Sequence, residues 1–349
     1  MQRSKITQIT LTGVAFLLIA FASSAIAQAR DPRLADSQQP GSVIVFPKFI
    51  RGFVTPDGVL TPATEFEVGV VCPKGMVCAE HKKVRIRFHY VCGTSVGDIS
   101  GFFVCKETNF DAETTVNGKL IFNTESTSPP GNFITPFPPC DRGYLIGWVV
   151  NKANLPIKFD GLIGDAVLRA SSTAVSAYKA IPIQADPALA TGAIITGGRL
   201  FDGSPGRYQA LTGVIVGDVA YDRPPNRATN LTLLTLDVRS NRPNLPTFVD
   251  INFYNAQETL LSTFTEFICW GEKQLSTQID ANLTGTGMGS RKGVFVAGPA
   301  EKVPIFGIQD TAGPVTLLGL VETLEGPTAS ERQYIYGVFN DSAPVVQTD

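Results

Sequence analysis

Hydrophobic and polar residues alternate along several short stretches of the chain. Between Val84 and Tyr90 every second residue is apolar, and Arg85, Arg87 and His89 stand between the apolar positions. A period of two buries one face of a strand and leaves the other face in water. The alternation therefore predicts a half-exposed antiparallel strand with His89 on its wet face. The same pattern recurs at residues 143–150, 234–239, 249–253 and 333–339.

Clusters of Pro, Gly, Asn and Asp separate these stretches and are typical of turns, as at residues 129–132, 202–206 and 223–226. Many short strands between turns predict an all-β fold of antiparallel sandwiches rather than βαβ units. Only Asp165–Ala180 has a partly helical composition, through its alanines. Irregular strand spacing and the lack of visible aromatic girdles favour sandwiches over an outer-membrane barrel.

The two halves of the chain share an order of strands and turns, which predicts two tandem antiparallel β-sandwich (Ig-like) domains. The length agrees, because a single core seldom grows beyond about 250–300 residues. We place a cysteine-rich domain 1 at residues 42–205 and domain 2 at residues 206–349, with the boundary in the Pro/Gly-rich stretch 202–227. The chain has a general resemblance to exported bacterial proteins with Ig-like sandwiches, and no motif singles out one family.

The N-terminus has the pattern of a signal peptide. Arg3 and Lys5 precede an apolar stretch at Leu11–Ala22, and small residues occupy positions 25 and 27, as a signal peptidase requires. We therefore predict a cleaved signal peptide at residues 1–27, a flexible lead at 28–41, and export to the periplasm or the extracellular space. No later stretch approaches about 20 apolar residues, so we expect no membrane span after cleavage.

All six cysteines follow the predicted cleavage site. An even number in an exported chain predicts three disulfides, with fifteen possible pairings that the sequence does not resolve. The short spacing of Cys72 and Cys78 favours a local bridge and does not match a structural zinc hook. The disulfide candidates are Cys72, Cys78, Cys92, Cys105, Cys140 and Cys269.

Composition excludes two further classes of protein. The chain has 349 residues, with 31 acidic and 29 basic side chains and a formal net charge of -2. A nucleic-acid-binding protein is expected to be basic, so we expect no nucleic-acid partner. The hydrophobic content of 44% and the small net charge exclude a disordered chain.

The motifs that suggest catalysis lack their structural context. Gly93–Gly97 matches the Gly-x-Ser-x-Gly elbow, but we expect a strand after Ser95 and no histidine follows it. The only histidines are His81, in a polar turn, and His89. The glycine-rich run 285–293 lacks the Gly-Lys-Ser/Thr triplet of a phosphate-binding loop. We therefore expect no catalytic residue, metal or cofactor.

Five aspartates lie in glycine-rich loops, where carboxylates could serve a hydrolytic pair or calcium. None has the register of a calcium-binding loop, and an aspartate in a turn commonly satisfies its own backbone. They are Asp160, Asp165, Asp202, Asp218 and Asp222.

These observations favour an exported, non-catalytic binding or structural protein of the bacterial envelope or the extracellular space. It would associate with an envelope or surface protein, or with itself, because edge strands of a sandwich can accept a partner strand. The apolar run Ser42–Phe46 could be donated to a partner, although the first strand of domain 1 is the simpler interpretation. The alternatives are a secreted polysaccharide hydrolase with a carboxylate pair and a soluble ligand carrier. As core residues we predict Phe88, Trp148, Ile251, Phe253 and Trp270.

Overall fold

The structure, a computed structural model, is all-β. No residue is helical in the part of the chain that it describes, so no helix there could cross a membrane. The described residues are 35–36, 38–52, 63–79, 82–93, 105–125, 135–169, 175–196, 201, 203–211, 214–220, 227–236, 247–255, 260–274, 292–299, 317–325 and 332–334. The predicted signal peptide, Ser95, His81 and most of the run 285–293 lie outside them.

Seventeen strands are present in the described residues. The first nine are β1 (Val43–Ile50), β2 (Ala63–Val70), β3 (Lys83–Val91), β4 (Glu107–Thr115), β5 (Lys119–Asn123), β6 (Arg142–Val150), β7 (Leu162–Arg169), β8 (Val175–Lys179) and β9 (Ile181–Ile183). The others are β10 (Ile215–Ala220), β11 (Arg227–Thr235), β12 (Thr247–Asn255), β13 (Leu260–Phe267), β14 (Trp270–Gln274), β15 (Lys292–Pro299), β16 (Leu317–Glu325) and β17 (Arg332–Tyr334).

The strands form four antiparallel sheets. Sheet I has the order β4-β3-β6-β1-β9, and sheet II has the order β5-β2-β7-β8. Sheet III has the order β10-β15-β12-β13, and sheet IV has the order β14-β11-β16-β17. Sheets I and II therefore use only β1 to β9, whereas sheets III and IV use only β10 to β17.

Three apolar clusters hold the sheets together. The first lies between sheets I and II and includes Phe46, Phe66 and Phe88. The second lies between sheets III and IV and includes Leu233 and Ile251. The third joins the other face of sheet I to sheet IV, and its members include Val45, Trp148, Ile183, Leu234, Trp270 and Leu318. Sheet IV and the β6–β1–β9 part of sheet I thus have apolar contacts on both faces, and all five predicted core residues are buried.

The apolar run near residue 42 is an integral strand. β1 pairs with β6 on one side and β9 on the other, so its central position confirms the simpler interpretation of Ser42–Phe46. The partly helical prediction for Asp165–Ala180 was wrong, because this stretch forms β7 and β8. Its period-two pattern outweighs its alanine content, since Ala166 and Leu168 are buried while Asp165 is exposed.

The wet-face prediction was also wrong for His89. Its side chain is only 4% exposed, because Trp148 stacks on the imidazole with ring centroids 4.3 Å apart. The imidazole Nδ1 also pairs with the Glu107 carboxylate. Arg85 and Arg87 on the same strand remain about one-third exposed, as the alternation predicts.

The six cysteines form three disulfides, Cys72–Cys78, Cys92–Cys140 and Cys105–Cys269. The predicted local bridge between Cys72 and Cys78 is confirmed. The Cys105–Cys269 bridge spans a sequence separation of 164 and links the segment before β4 to the turn between β13 and β14. Disulfides form and persist in oxidising compartments, which indicates a location outside the cytoplasm.

The buried hydroxyl of Thr232, on β11 of sheet IV, gives a testable prediction about stability. Thr232 is fully buried, and no described residue hydrogen-bonds to its Oγ1. An unsatisfied buried hydroxyl costs about 1–3 kcal/mol. We therefore expect Thr232→Val to raise the free energy of unfolding by about 1 kcal/mol, measured by urea denaturation.

Thr64→Val is the matched control, because Thr64 is equally buried but its Oγ1 accepts a hydrogen bond of 2.8 Å from the Ile50 amide. The free energy of unfolding of this variant is expected to fall by about 1–3 kcal/mol. A loss of stability in Thr232→Val comparable to that of the control would contradict the analysis.

Candidate functional site

The face of sheet I that points away from sheet II changes from charged to apolar across the sheet. On β3 and β4 it carries charged side chains, among them Arg85, Arg87 and Asp111. On β6, β1 and β9 it carries apolar side chains such as Trp148 and Val43. Ile195, Phe201, Tyr208 and Leu211, together with sheet IV, cover the apolar part. The charged side chains of this face are therefore concentrated on β3 and β4.

Asp111 binds two arginines on this side. It accepts hydrogen bonds from Arg87 Nε at 2.8 Å and Arg87 Nη2 at 3.1 Å, and a further one from Arg85 Nη2. The hydrogen bonds from Arg87, followed by those from Arg85, hold the pKa of Asp111 below its usual value. Two cations against one carboxylate leave this cluster with one net positive charge.

A cavity of about 240 Å³ adjoins the cluster. Its buried wall includes Val43, Trp148 and Tyr208, while Arg87 and the exposed Asn154 are closer to solvent. All these residues belong to the segment between β1 and residue 208. The cavity therefore lies against sheet I alone and is not formed at the contact with sheet IV.

A second group of charges lies at that contact, and a bulge in β1 positions it. Phe46 pairs with Leu145 and Phe49 with Gly143, so two residues, Pro47 and Lys48, oppose one residue of β6. Such a bulge removes backbone groups from the ladder and redirects side chains. It also places Phe49 on the same face as Phe46, in the core between sheets I and II.

Side chains satisfy the backbone groups of the bulge. Trp270 Nε1 donates to the Pro47 carbonyl at 2.9 Å. The Tyr178 hydroxyl donates to the Lys48 carbonyl, and burial raises the pKa of this phenol. Because a buried backbone carbonyl is costly without a partner, these two bonds stabilise the bulge.

Lys48 extends from the bulge to two carboxylates of sheet IV. Its Nζ donates to Glu272 at 2.6 Å and to Glu322, and Arg142 Nη1 donates to Glu272 at 2.6 Å. Burial alone would lower the pKa of Lys48, but Glu322 and Glu272 outweigh it and raise that pKa. Burial would raise the pKa of Glu272, but Lys48 and Arg142 outweigh it and lower that pKa.

Glu272 and Glu322 are therefore a structural pair. A glycosidase needs two carboxylates across an open cleft that admits the sugar and a water. Here the Lys48 ammonium lies between the two carboxylates, whose side chains are 14% and 1% exposed. No spacing pattern in the sequence predicts this group, because Lys48 is 224 residues from Glu272 and 274 residues from Glu322. The one sequence feature that points to this group is Lys48 itself, a lysine inside the apolar run of β1.

The aspartates that were candidates for hydrolysis or calcium binding do not form such a site in the described residues. Asp160 accepts hydrogen bonds from Ser42 Oγ at 2.6 Å and the Ala185 amide at 2.9 Å, and burial raises its pKa. Asp165 is exposed on β7. Asp202, Asp222 and the Asp218 side chain are outside the described part, and within that part no three potential ligands cluster around a metal position.

Comparison with known proteins adds no family assignment: no protein-family model matches the chain, and no curated protein matches its sequence.

The buried charges predict a large effect of one substitution. Lys48→Met leaves Glu322 buried without its cation, which costs about 3–5 kcal/mol in comparable buried pairs. We expect the free energy of unfolding, measured by urea denaturation, to fall by this amount.

Lys119→Met is the control, since Lys119 pairs with Glu67 at 3.2 Å while both side chains are about half exposed. An exposed pair contributes at most about 1 kcal/mol. Equal losses in the two variants would show that the Lys48 pair does not hold sheet IV against sheet I.

Proposed function

We propose that the chain is an exported, non-catalytic binding protein of the bacterial envelope or the extracellular space, which accepts a strand from a partner protein at the β4 edge of sheet I. In this proposal residues 1–27 are a cleaved signal peptide. The sheet pairs I–II and III–IV are two tandem Ig-like β-sandwich domains within residues 42–205 and 206–349. The three disulfides support export, because such bonds persist in the periplasm and outside the cell.

The observation that carries the proposal is the open edge of β4. The Cys92 amide donates to the Lys106 carbonyl at 2.9 Å, so alternate residues of β4 direct their backbone groups to β3. The intervening residues Asn109, Asp111 and Glu113 direct theirs to the edge, where no described residue pairs with them. Unpaired strand edges are the usual site of β-augmentation.

Edge length and charge indicate the kind of partner. The nine residues of β4 provide an edge of roughly 30 Å at about 3.4 Å per residue. Asp111 and Glu113 lie on the outer face and already pair with Arg85, Arg87 and Lys83 of β3, so the edge offers a partner strand its backbone groups rather than unpaired charge. Antiparallel self-pairing centred on Asp111 would place this aspartate beside its copy. Because like groups directly opposite each other are unfavourable, this arrangement favours a strand from a different protein over self-pairing.

Photo-crosslinking in intact cells that export the chain tests this function. A photoreactive residue replacing Glu113 is expected to capture one dominant envelope or surface protein, identified by mass spectrometry. Asn109→Pro should abolish that adduct, because it removes an N–H that points to the edge without removing one that pairs with β3.

The same photoreactive residue at Glu266, which is exposed on β13, is the positional control and should not capture this protein. Circular dichroism should show Asn109→Pro folded like the parent. An adduct that survives Asn109→Pro would overturn strand addition at β4. A ladder of self-adducts would replace the heterologous partner with self-association.

A further inference from the structure

We propose that the cavity beside Arg87 binds a small planar monocarboxylate of about the size of benzoate. This proposal is independent of partner binding at β4, because the cavity lies over β3, β6 and β1. Its volume of about 240 Å³ corresponds to roughly eight water molecules at about 30 Å³ each. That is below the usual range for drug-sized ligands and suits a single ring with one substituent.

Two stacked pairs of aromatic side chains line the cavity. His89 stacks on Trp148 with ring centroids 4.3 Å apart and an interplanar angle of 20°. Phe201 stacks on Tyr208 with centroids 5.1 Å apart and the same angle. All four side chains line the cavity. Aromatic faces favour a ring that can pack in an offset or edge-on arrangement, which indicates a planar ligand.

Arg87 supplies the positive charge. A guanidinium has five N–H donors. Arg87 uses two of them, one on Nε and one on Nη2, to bind Asp111. No described residue accepts the other three. Since Arg87 is held in place by Asp111 and its side chain is 29% exposed, these donors can bind a carboxylate. Among the described residues Arg87 is the one guanidinium that lines the cavity, which suits a ligand with a single carboxylate.

Two neutral polar groups complete the site. Tyr208 is 3% exposed and lines the cavity. Its phenol has one O–H donor, which can bind an oxygen atom of a ligand at this wall. Asn154 is fixed at a positive φ of 63° by a turn in which Asn151 Oδ1 accepts the Ala153 and Leu155 amides. This turn holds the Asn154 side chain at the cavity.

Calorimetric titration of the full exported chain with benzoate tests the proposal. We expect one site per chain, and we expect benzamide, a neutral analogue of the same shape, to bind about tenfold more weakly. Arg87→Met should weaken benzoate binding about tenfold, the effect of losing one charge-assisted contact, and should leave benzamide binding unchanged.

Arg85→Met is the matched control, because Arg85 also binds Asp111 but does not line the cavity. It should leave the benzoate affinity within about twofold of the parent. Tyr208→Phe keeps the aromatic wall and should weaken benzoate binding about threefold to tenfold by removing one hydrogen bond. This second variant gives a test that does not depend on the Arg87–Asp111 contact.

Circular dichroism spectra should be the same in all variants, which shows that each variant is folded like the parent. Absence of benzoate binding to the parent chain would overturn the proposal. Equal weakening by Arg87→Met and Arg85→Met would overturn it as well, since the effect would then come from the shared contact with Asp111. If the chain binds benzoate but gives no adduct at β4, the proposed function is overturned and the ligand site stands.

Discussion

The bulge at Pro47 and Lys48 in β1 is the constraint on which the arrangement of sheets I and IV depends. It inserts one residue into a strand that is paired on both sides, and it moves Lys48 out of the ladder. A lysine buried at this point is tolerable only if its charge is compensated. Glu272 and Glu322 on sheet IV provide that compensation, so the position of one sheet is specified by the charge of the other. Buried ion pairs contribute little net stability against an apolar replacement, and their best-attested role is to fix one arrangement.

Two further contacts act at the same place. The Cys105–Cys269 disulfide lies immediately before Trp270, the residue that donates to the bulge. Gly93 packs so closely against the backbone carbonyl of Trp270 that a Cβ at position 93 would overlap it. The first glycine of the Gly-x-Ser-x-Gly run therefore has a structural explanation in close backbone packing. A covalent bond, a hydrogen bond and a close contact thus converge on residues 269–270.

The sequence predicts those features that depend on local periodicity. Alternation identifies β3, β6 and β12, and a spacing of six residues identifies the Cys72–Cys78 bridge. It fails where a second layer changes the environment of a strand. His89 is buried because Trp148 covers it, and nothing in the sequence around His89 specifies that contact. Lys48 meets Glu272 and Glu322 only through tertiary packing. The same is true of the residues that line the cavity, such as Val43 and Tyr208.

The same layering explains where binding chemistry can occur on sheet I. One face packs on sheet II, and the β6–β1–β9 part of the other face packs on sheet IV and on side chains such as Phe201 and Tyr208. In the described part of the chain only the β3–β4 side of that face is uncovered, and charged side chains such as Arg87 and Glu113 are found there. Because the covered strands hold β3 rigidly, the β4 edge and the cavity beside Arg87 are both positioned by the same packed core. The two sites that we propose can therefore coexist on one sheet, because one would bind the backbone of a partner strand at the β4 edge and the other a small molecule over β3, β6 and β1.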